Sequence, residues 1–190
     1  AEITDASTNL YGTSMQSFFG RANFAFNNRY LLNLSMRADG SSRFSPKNRY
    51  GYFPSASAGW NVSNESFWKI PQTSLKLRAS YGATGNLEGI NAYAYQALTG
   101  GGYNYNNGSG IAITSFGNED LTWEKAQQFD IGFDMGFKNN AFNITADYFI
   151  KNTNNLLYSK PTHATSGFTS IISNIGSMRN WGFVLGLNGN

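Results

Sequence analysis

Asp130 and Asp134, in the stretch QQFDIGFDMGF, are the two carboxylates of this 190-residue chain whose spacing most invites chemistry. Paired acids flanking one bond are the glycosidase arrangement, with carboxyl groups roughly 5–9.5 Å apart. Four residues along one strand face separate two Cα atoms by about 13 Å. That is too far for either geometry, so ion pairing with Arg or Lys on the same wall is the expected role. The single histidine, His163, stands in a long loop with no Cys, His or close carboxylate at ligand spacing, and reads as a surface residue rather than a metal ligand. Asn118, Glu119 and Asp120 offer oxygen atoms that would help hold Ca²⁺, but no EF-hand pattern surrounds them. The run TGGGYNYNNGSG (99–110) is glycine-rich, yet it lacks the GK[ST] ending of a phosphate loop and no helical pattern follows. It reads as an outer loop. Tyr103 and Tyr105 would stack on sugar rings there, and Asn104, Asn106 and Asn107 would bond hydroxyls; plain solvent-facing loop is the other reading. Trp123, near the end of the same long connection, joins Tyr103, Asn104 and Tyr105 as an expected substrate contact. No Ser–His–Asp arrangement is present, no cofactor is called for, and an enzyme is the weakest class.

These residues are carried by segments in which apolar side chains recur at every second position, as in a strand with two unlike faces. Seven such segments are predicted, at 16–26, 30–39, 51–62, 75–82, 126–137, 141–151 and from 181 onward. In RYLLNLSMRADGSSRF (29–44), Tyr30, Leu32, Leu34, Met36 and Ala38 share one phase, and Asn33, Ser35, Arg37 and Asp39 the other. Phe129, Ile131, Phe133, Met135 and Phe137 alternate with Gln128, Asp130, Gly132, Asp134 and Gly136. Ile144 and its phase-mates oppose Asp147 and Lys151 in the sixth segment. The polar phase carries Arg21, Arg37, Asp39, Lys76, Arg78, Asp130, Asp134 and Asp147, whereas the apolar phase of all seven predicted strands has no charge. A charge facing lipid costs about 2–4 kcal/mol for Arg or Lys at the bilayer midplane, and complete exclusion is what that penalty produces. The apolar phase is therefore expected to face hydrocarbon, through Leu32, Leu34, Met36, Phe129, Ile131, Phe133 and Ile144. The polar phase is expected to line an interior.

Composition agrees. Charged residues are 13% and aromatics 16%, with 21 Gly, which suits short strands and polar turns. The net charge of +3 is scattered, so nucleic-acid binding is not expected. Without Cys, neither a disulfide framework nor a thiolate metal site exists. No run of 18 apolar residues is present, which rules out a transmembrane helix and leaves a barrel open. The predicted connections sort by parity: 27–29, 63–74 and 138–140 are the tighter set, and 40–50, 83–125 and 152–180 the longer. Outer-membrane barrels have short periplasmic turns and long outer loops, and a soluble sandwich has no reason for this asymmetry. Tyr30, Trp60 and Phe142 near the tight turns, and Tyr52, Tyr81 and Trp181 near the long loops, would form two interfacial girdles. Pro54 is awkward inside a ladder. SNESFWKIP (63–71) is predicted to form one helical turn capped by Ser63 or Asn64, with Phe67 and Trp68 packing at the periplasmic rim.

The same stretches carry a family likeness. SFFGRANFAFNNRYLLNLSMRADGSSRFSPKNRYGYFPSASAGW resembles the barrel of a SusC/RagA-type TonB-dependent outer-membrane transporter. So do LKLRASYGATGN, LTWEKAQQFDIGFDMGF, NNAFNITADYFIKNTNNLLY and the SGFTS…SNIGSMRNWG pieces, in order from about Ser17 to Gly182. The resemblance implies an all-β, antiparallel, up-and-down transmembrane barrel, of which this chain is about seven consecutive strands out of 22. It implies a Gram-negative outer membrane, TonB as energy source, a SusD-like surface lipoprotein as lid, and an oligosaccharide or peptide substrate. Across 1–190 the expectation is barrel wall alone, without plug, signal peptide, TonB-contacting segment or terminal strand. A passive porin, which would lack a plug, and a soluble carbohydrate-binding or adhesin-like β-domain, which would be water-soluble alone, are the competing readings.

Overall fold

A computed structural model describes residues 11–106 and 108–189, the side chains of Tyr105 and Ala164 excepted. Its strands are β1 (Met15–Phe26), β2 (Tyr30–Ser41), β3 (Tyr50–Asn61), β4 (Thr73–Asn86), β5 (Leu98–Tyr105), β6 (Gly108–Ser115), β7 (Glu124–Phe137), β8 (Phe142–Asn154), β9 (Leu157–Pro161), β10 (Ser170–Asn174) and β11 (Ser177–Gly189). The seven predicted strands are all present and form one antiparallel sheet in the order β1-β2-β3-β4-β7-β8-β11. It is an up-and-down meander, and it is open: β1 and β11 do not pair with each other. Alternation fixes this register, because a one-residue slip would carry every apolar side chain to the other face.

The strands are longer than the periodicity marks. β4 runs four residues past its predicted end at 82, and β11 begins four residues before 181. The added length brings Lys125 and Arg179 into the apolar phase, both at the long-loop end. They lie beyond the cross-strand row Tyr81–Phe129–Ile150–Trp181. Charge is thus excluded from the middle of the apolar face and admitted at its rim.

At the tight-turn end, Asn27 and Asn28 (φ 50° and 53°) and Lys138, Asn139 and Asn140 (φ 49°, 57° and 65°) all sit in the left-handed region. Asn tolerates that region better than other side chains, which is why these turns are Asn-rich. The third connection at this end departs from expectation. Its helical piece is a three-residue 3-10 turn, Val62–Asn64, whose N-cap is Asn61 without a side-chain capping bond. The Asn61 and Asn64 amides instead both donate to the Asn28 carbonyl, at 2.7 and 2.8 Å, tying this connection to the β1–β2 turn.

Pro54 finds a place without cost to the ladder. β3 pairs with β2 from Tyr50 to Trp60, but its pairing with β4 stops at Ser55–Gly82, one residue after the proline. Beyond that point β4 is paired with β7 alone, and the Phe53 ring fills the space that opens. Gly51 and Gly85 both leave room for it: a Cβ on Gly51 would come within 2.5 Å of the ring, and one on Gly85 would overlap it.

The long connections are not bare loops. The 83–125 connection holds the hairpin β5–β6, with bulges at Leu98/Thr99 and Gly100/Tyr103. The 152–180 connection holds the hairpin β9–β10. Around their bases lies a small apolar core of Phe44, Phe53, Ile90, Leu121 and Trp123. Among the described residues every buried apolar side chain except Val62 is in this cluster, while the large apolar side chains of the sheet, Phe53 apart, are exposed or half-buried.

Candidate functional site

The polar face of the sheet is concave. One trough is lined from Arg21 on β1 through Asn33, Ser57, Ser80 and Asp130 to Lys151 on β8. Cross-strand bonds pave it. Ser35 and Ser55 hydroxyls lie 2.6 Å apart, the Asn33 amide donates to Ser57 at 3.1 Å, and the Ser80 hydroxyl donates to Asp130 at 3.2 Å. Gln128 donates to the other Asp130 oxygen at 2.9 Å.

Arg78 is the centre of this wall. Its Nε and one terminal nitrogen donate to the two oxygens of Asp134 at 2.8 and 2.9 Å, a bidentate fork. The same terminal nitrogen lies 2.9 Å from Asp147. The reach is made possible by Gly132, which sits between Arg78 and Asp147 in one cross-strand row. A Cβ there would collide with the Asp147 carboxylate and come within 2.7 Å of the Ala146 carbonyl. Asp130 and Asp134 are thus separate members of a hydrogen-bonded wall, not a catalytic pair. Lys76 is opposite Asp134 in register but leans over Gly59 instead. Arg21, Lys76 and Lys151 make no ion pair among the described residues. Arg37 pairs with Asp39 at 2.7 Å and lies over the Phe53 ring at 5.6 Å. Asp39 is only 2% exposed.

On the convex face, Leu32, Leu34, Met36, Phe129 and Ile131 are exposed, and Phe133 and Ile144 are half-buried between neighbours. Aromatic side chains stand toward both ends of the same face. Tyr30 and Trp60 stack at 6.3 Å at the tight-turn end, and Tyr81 and Trp181 lie in the row near the long loops. The polar phase is not purely polar: Phe19, Phe53 and Phe149 also belong to it, and Phe53 is buried.

Among the long connections, Trp123 corrects its expected role. It is 3% exposed, tilted against Phe44 at 5.1 Å and edge-on to Phe53 at 5.6 Å, with its indole N–H donating to the Arg49 carbonyl at 3.1 Å. It is a pillar, not a surface contact. Tyr103 and Asn104 are exposed on β5, away from it; Tyr105 follows on the same strand, with its side chain outside the described residues. Asn107 lies outside them as well. The Asn118–Asp120 segment is a clamp rather than a Ca²⁺ cradle. Asn118 donates to the Ile172 carbonyl at 2.9 Å, Lys47 donates to Asp120 at 2.7 Å, and Ser45 donates to the Glu119 carbonyl at 2.8 Å. The Asp120 partner holds the Lys47 ammonium above the ordinary lysine range. His163 is exposed, and its carbonyl accepts from Ser166 at 2.7 Å. Among the described residues no group of three or more His, Cys, Asp or Glu gathers at metal-binding distance.

Sequence periodicity missed one feature of this end. A cavity of about 830 Å³ opens between the 87–97 loop and the two hairpins, lined among others by Arg43, Asn91, Tyr93, Phe116, Phe168 and Ser170. Phe116 and Phe168 meet edge-to-face at 5.1 Å. Arg43 is the one charged residue in the lining and has no ion-pair partner among the described residues. These residues come from three connections, 40–50, 83–125 and 152–180, which the Phe44–Leu121–Trp123 cluster and the Asn118 and Asn174 amide bonds hold together.

The family described as TonB dependent receptor-like, beta-barrel, matches residues 2–190. The chain is 37% identical over 187 residues to TonB-dependent receptor P3 of Formosa agariphila, covering 96% of this chain and 19% of that protein. It is 35% identical over 203 residues to TonB-dependent receptor SusC of Bacteroides thetaiotaomicron, covering 99% of this chain and 20% of that one. In structure it is similar to the RagAB peptide importer in its closed-closed state, with TM-score 0.84 and 37% identity over 92% of this chain and 19% of that one. The chain thus spans about a fifth of the length of each of these relatives. A concave polar wall, a convex apolar face and a match along nearly the whole sequence agree: the chain belongs to the TonB-dependent receptor-like β-barrel family.

Proposed function

We propose that this chain is a section of wall in an energy-coupled outer-membrane importer of oligomeric nutrients, oligosaccharides or peptides. The observation that carries the reading is the curvature of the sheet toward its polar face. A sheet that bends this way encloses water and turns Leu32, Leu34, Met36, Phe129, Ile131, Phe133 and Ile144 toward lipid. Arg21, Arg37, Lys76, Arg78, Asp130, Asp134 and Asp147 then line the conduit. Completing the cylinder takes further strands on both β1 and β11, since unpaired edges are not tolerated in hydrocarbon. The similarity to the RagAB peptide importer supports import, with a peptide as one cargo class, and the relatives named TonB-dependent receptors support TonB as the energy source. A SusD-like lipoprotein over the long loops and a glycan as the other cargo class are part of the proposal.

Cargo contacts belong among the long connections: Tyr103 and Asn104 on the exposed hairpin, and Arg43, Tyr93 and Phe116 in the cavity. The test is uptake by cells whose own copy of the parent gene is deleted and replaced by the complete gene. Growth on the oligomeric nutrient should require that gene and a functional TonB. Uptake that persists without TonB would make the parent a passive pore and overturn the reading.

A further inference from the structure

The connection between β3 and β4 holds an arrangement that face alternation does not explain. After the 3-10 turn at Val62–Asn64 the chain folds back, and Phe67 meets Trp60 edge-to-face at 6.5 Å. Trp60 and Tyr30 are cross-strand partners on the convex apolar face. The connection therefore stands against the outside of the wall instead of hanging below it.

Glu65 fastens it there. One carboxylate oxygen accepts from the Tyr30 hydroxyl at 2.9 Å and from the Trp60 indole at 3.0 Å, and the other lies 3.4 Å from the Arg29 guanidinium. A carboxylate beside an apolar face is tolerable only when its oxygens are satisfied in this way. Its side chain is 10% exposed. The fastening leaves apolar groups outward: Phe67 is 62% exposed and Ile70 52%. Between them Lys69 is exposed and makes no ion pair among the described residues.

Aromatic, cation and aliphatic in one short outward-facing turn, continuous with an interfacial Tyr–Trp pair, match the water–lipid boundary. Rings and stems enter the upper acyl region there, and ammonium groups reach phosphate. We propose that residues 65–70 form a foot embedded in the headgroup layer of the leaflet at the tight-turn end. Phe67 and Ile70 lie among the upper acyl carbons, and Lys69 lies on the phosphate of a glycerophospholipid. This rests on the membrane reading above.

The test uses the full-length parent in phospholipid nanodiscs, with one nitroxide at a time at position 67, 70, 34 or 88. Collision rates are measured with oxygen, which concentrates in lipid, and with a water-soluble nickel chelate. Labels at 67 and 70 should collide well with oxygen and poorly with nickel, at a shallower depth than 34; position 88, in an exposed loop, should favour nickel. Labels at 67 and 70 that behave like 88, or that reach neither reagent, overturn the foot while 34 still supports the wall. If 34 itself fails to reach oxygen, the wall reading falls first. As a second arm, adding anionic phosphatidylglycerol to zwitterionic nanodiscs should raise the melting temperature, and K69E should abolish that rise. An equal rise in both proteins overturns the phosphate contact.

Discussion

Arginine introduced at Leu34 and at its neighbour Ser35 separates the two faces of β2 at one depth. Leu34 lies in a row with Ala22 on β1 and Ala56 on β3, and no charged residue shares that row. It is four residues from Tyr30, the aromatic level at the tight-turn end. At roughly 3.3 Å per residue and a tilt of about 40°, that is about 10 Å along the membrane normal. The apolar band is about 25 Å tall, which puts Leu34 on the tilted β2 inside it; its cross-strand row continues to Tyr81, Phe129 and Trp181 on the later strands. L34R should then cost about 2–4 kcal/mol, or roughly 30- to 1000-fold in the folding equilibrium. S35R points into the trough. It loses the 2.6 Å contact with Ser55, which is worth about 0.5–1.5 kcal/mol, and keeps its charge in water. The assay is urea unfolding of the full-length parent in phospholipid vesicles, read by the fraction that stays barrel-folded. A cost for S35R equal to or larger than that for L34R would refute the assignment of faces.

Further outcomes follow from the same structure. W123A removes the pillar among the long connections and should cost that unit about 3–5 kcal/mol, read as rapid limited proteolysis at residues 87–122 while the sheet keeps its melting temperature. G85A should loosen the same region by displacing the Phe53 ring, with the cleavage pattern of W123A. R78M leaves Asp134 and Asp147 facing each other without their shared cation. Because Arg78 is more than a third exposed, the loss should be about 1–2 kcal/mol rather than the full buried-pair value, and the variant's melting temperature should rise more with salt than that of the parent. Glu65 is held below the usual carboxylate range, first by the Trp60 and Tyr30 hydrogen bonds and then by Arg29. Its contribution is complete above the ordinary value of 4.5 and disappears as pH falls through the lowered one. The melting-temperature gap between the parent and E65Q should therefore be constant from pH 7 to about 5 and close at more acid pH. A gap that widens toward acid would contradict the sign.

How much of this was readable beforehand differs by region. The period-two pattern located every strand of the sheet, because the residues it uses are those whose faces meet opposite solvents. It stopped short at the long-loop ends, where β4 and β7 pair with each other past the point at which β4 leaves β3 and neither face meets a uniform solvent. It placed Trp123 at a surface because Trp next to a loop boundary is ambiguous until its neighbours are known. Phe44, 79 residues earlier, supplies the missing wall. The glycosidase reading of Asp130 and Asp134 failed on distance alone, and that could be judged from strand geometry. The partner Arg78, 56 residues away, could only be guessed by charge.

Taken by itself, the sequence determined which side chains of the main sheet share a face, how many strands that sheet has, and which ends carry tight turns. All three follow from local alternation and from the left-handed tolerance of Asn in NNR and KNN. Tertiary structure decided which face is concave, that Gly132 lets one guanidinium bridge two carboxylates, and that the long connections carry hairpins around a core of their own. It also decided that the 65–70 turn folds back onto Tyr30 and Trp60. Each of these depends on register and packing between residues far apart in the chain, and a repeat of two carries no information about distance in sequence.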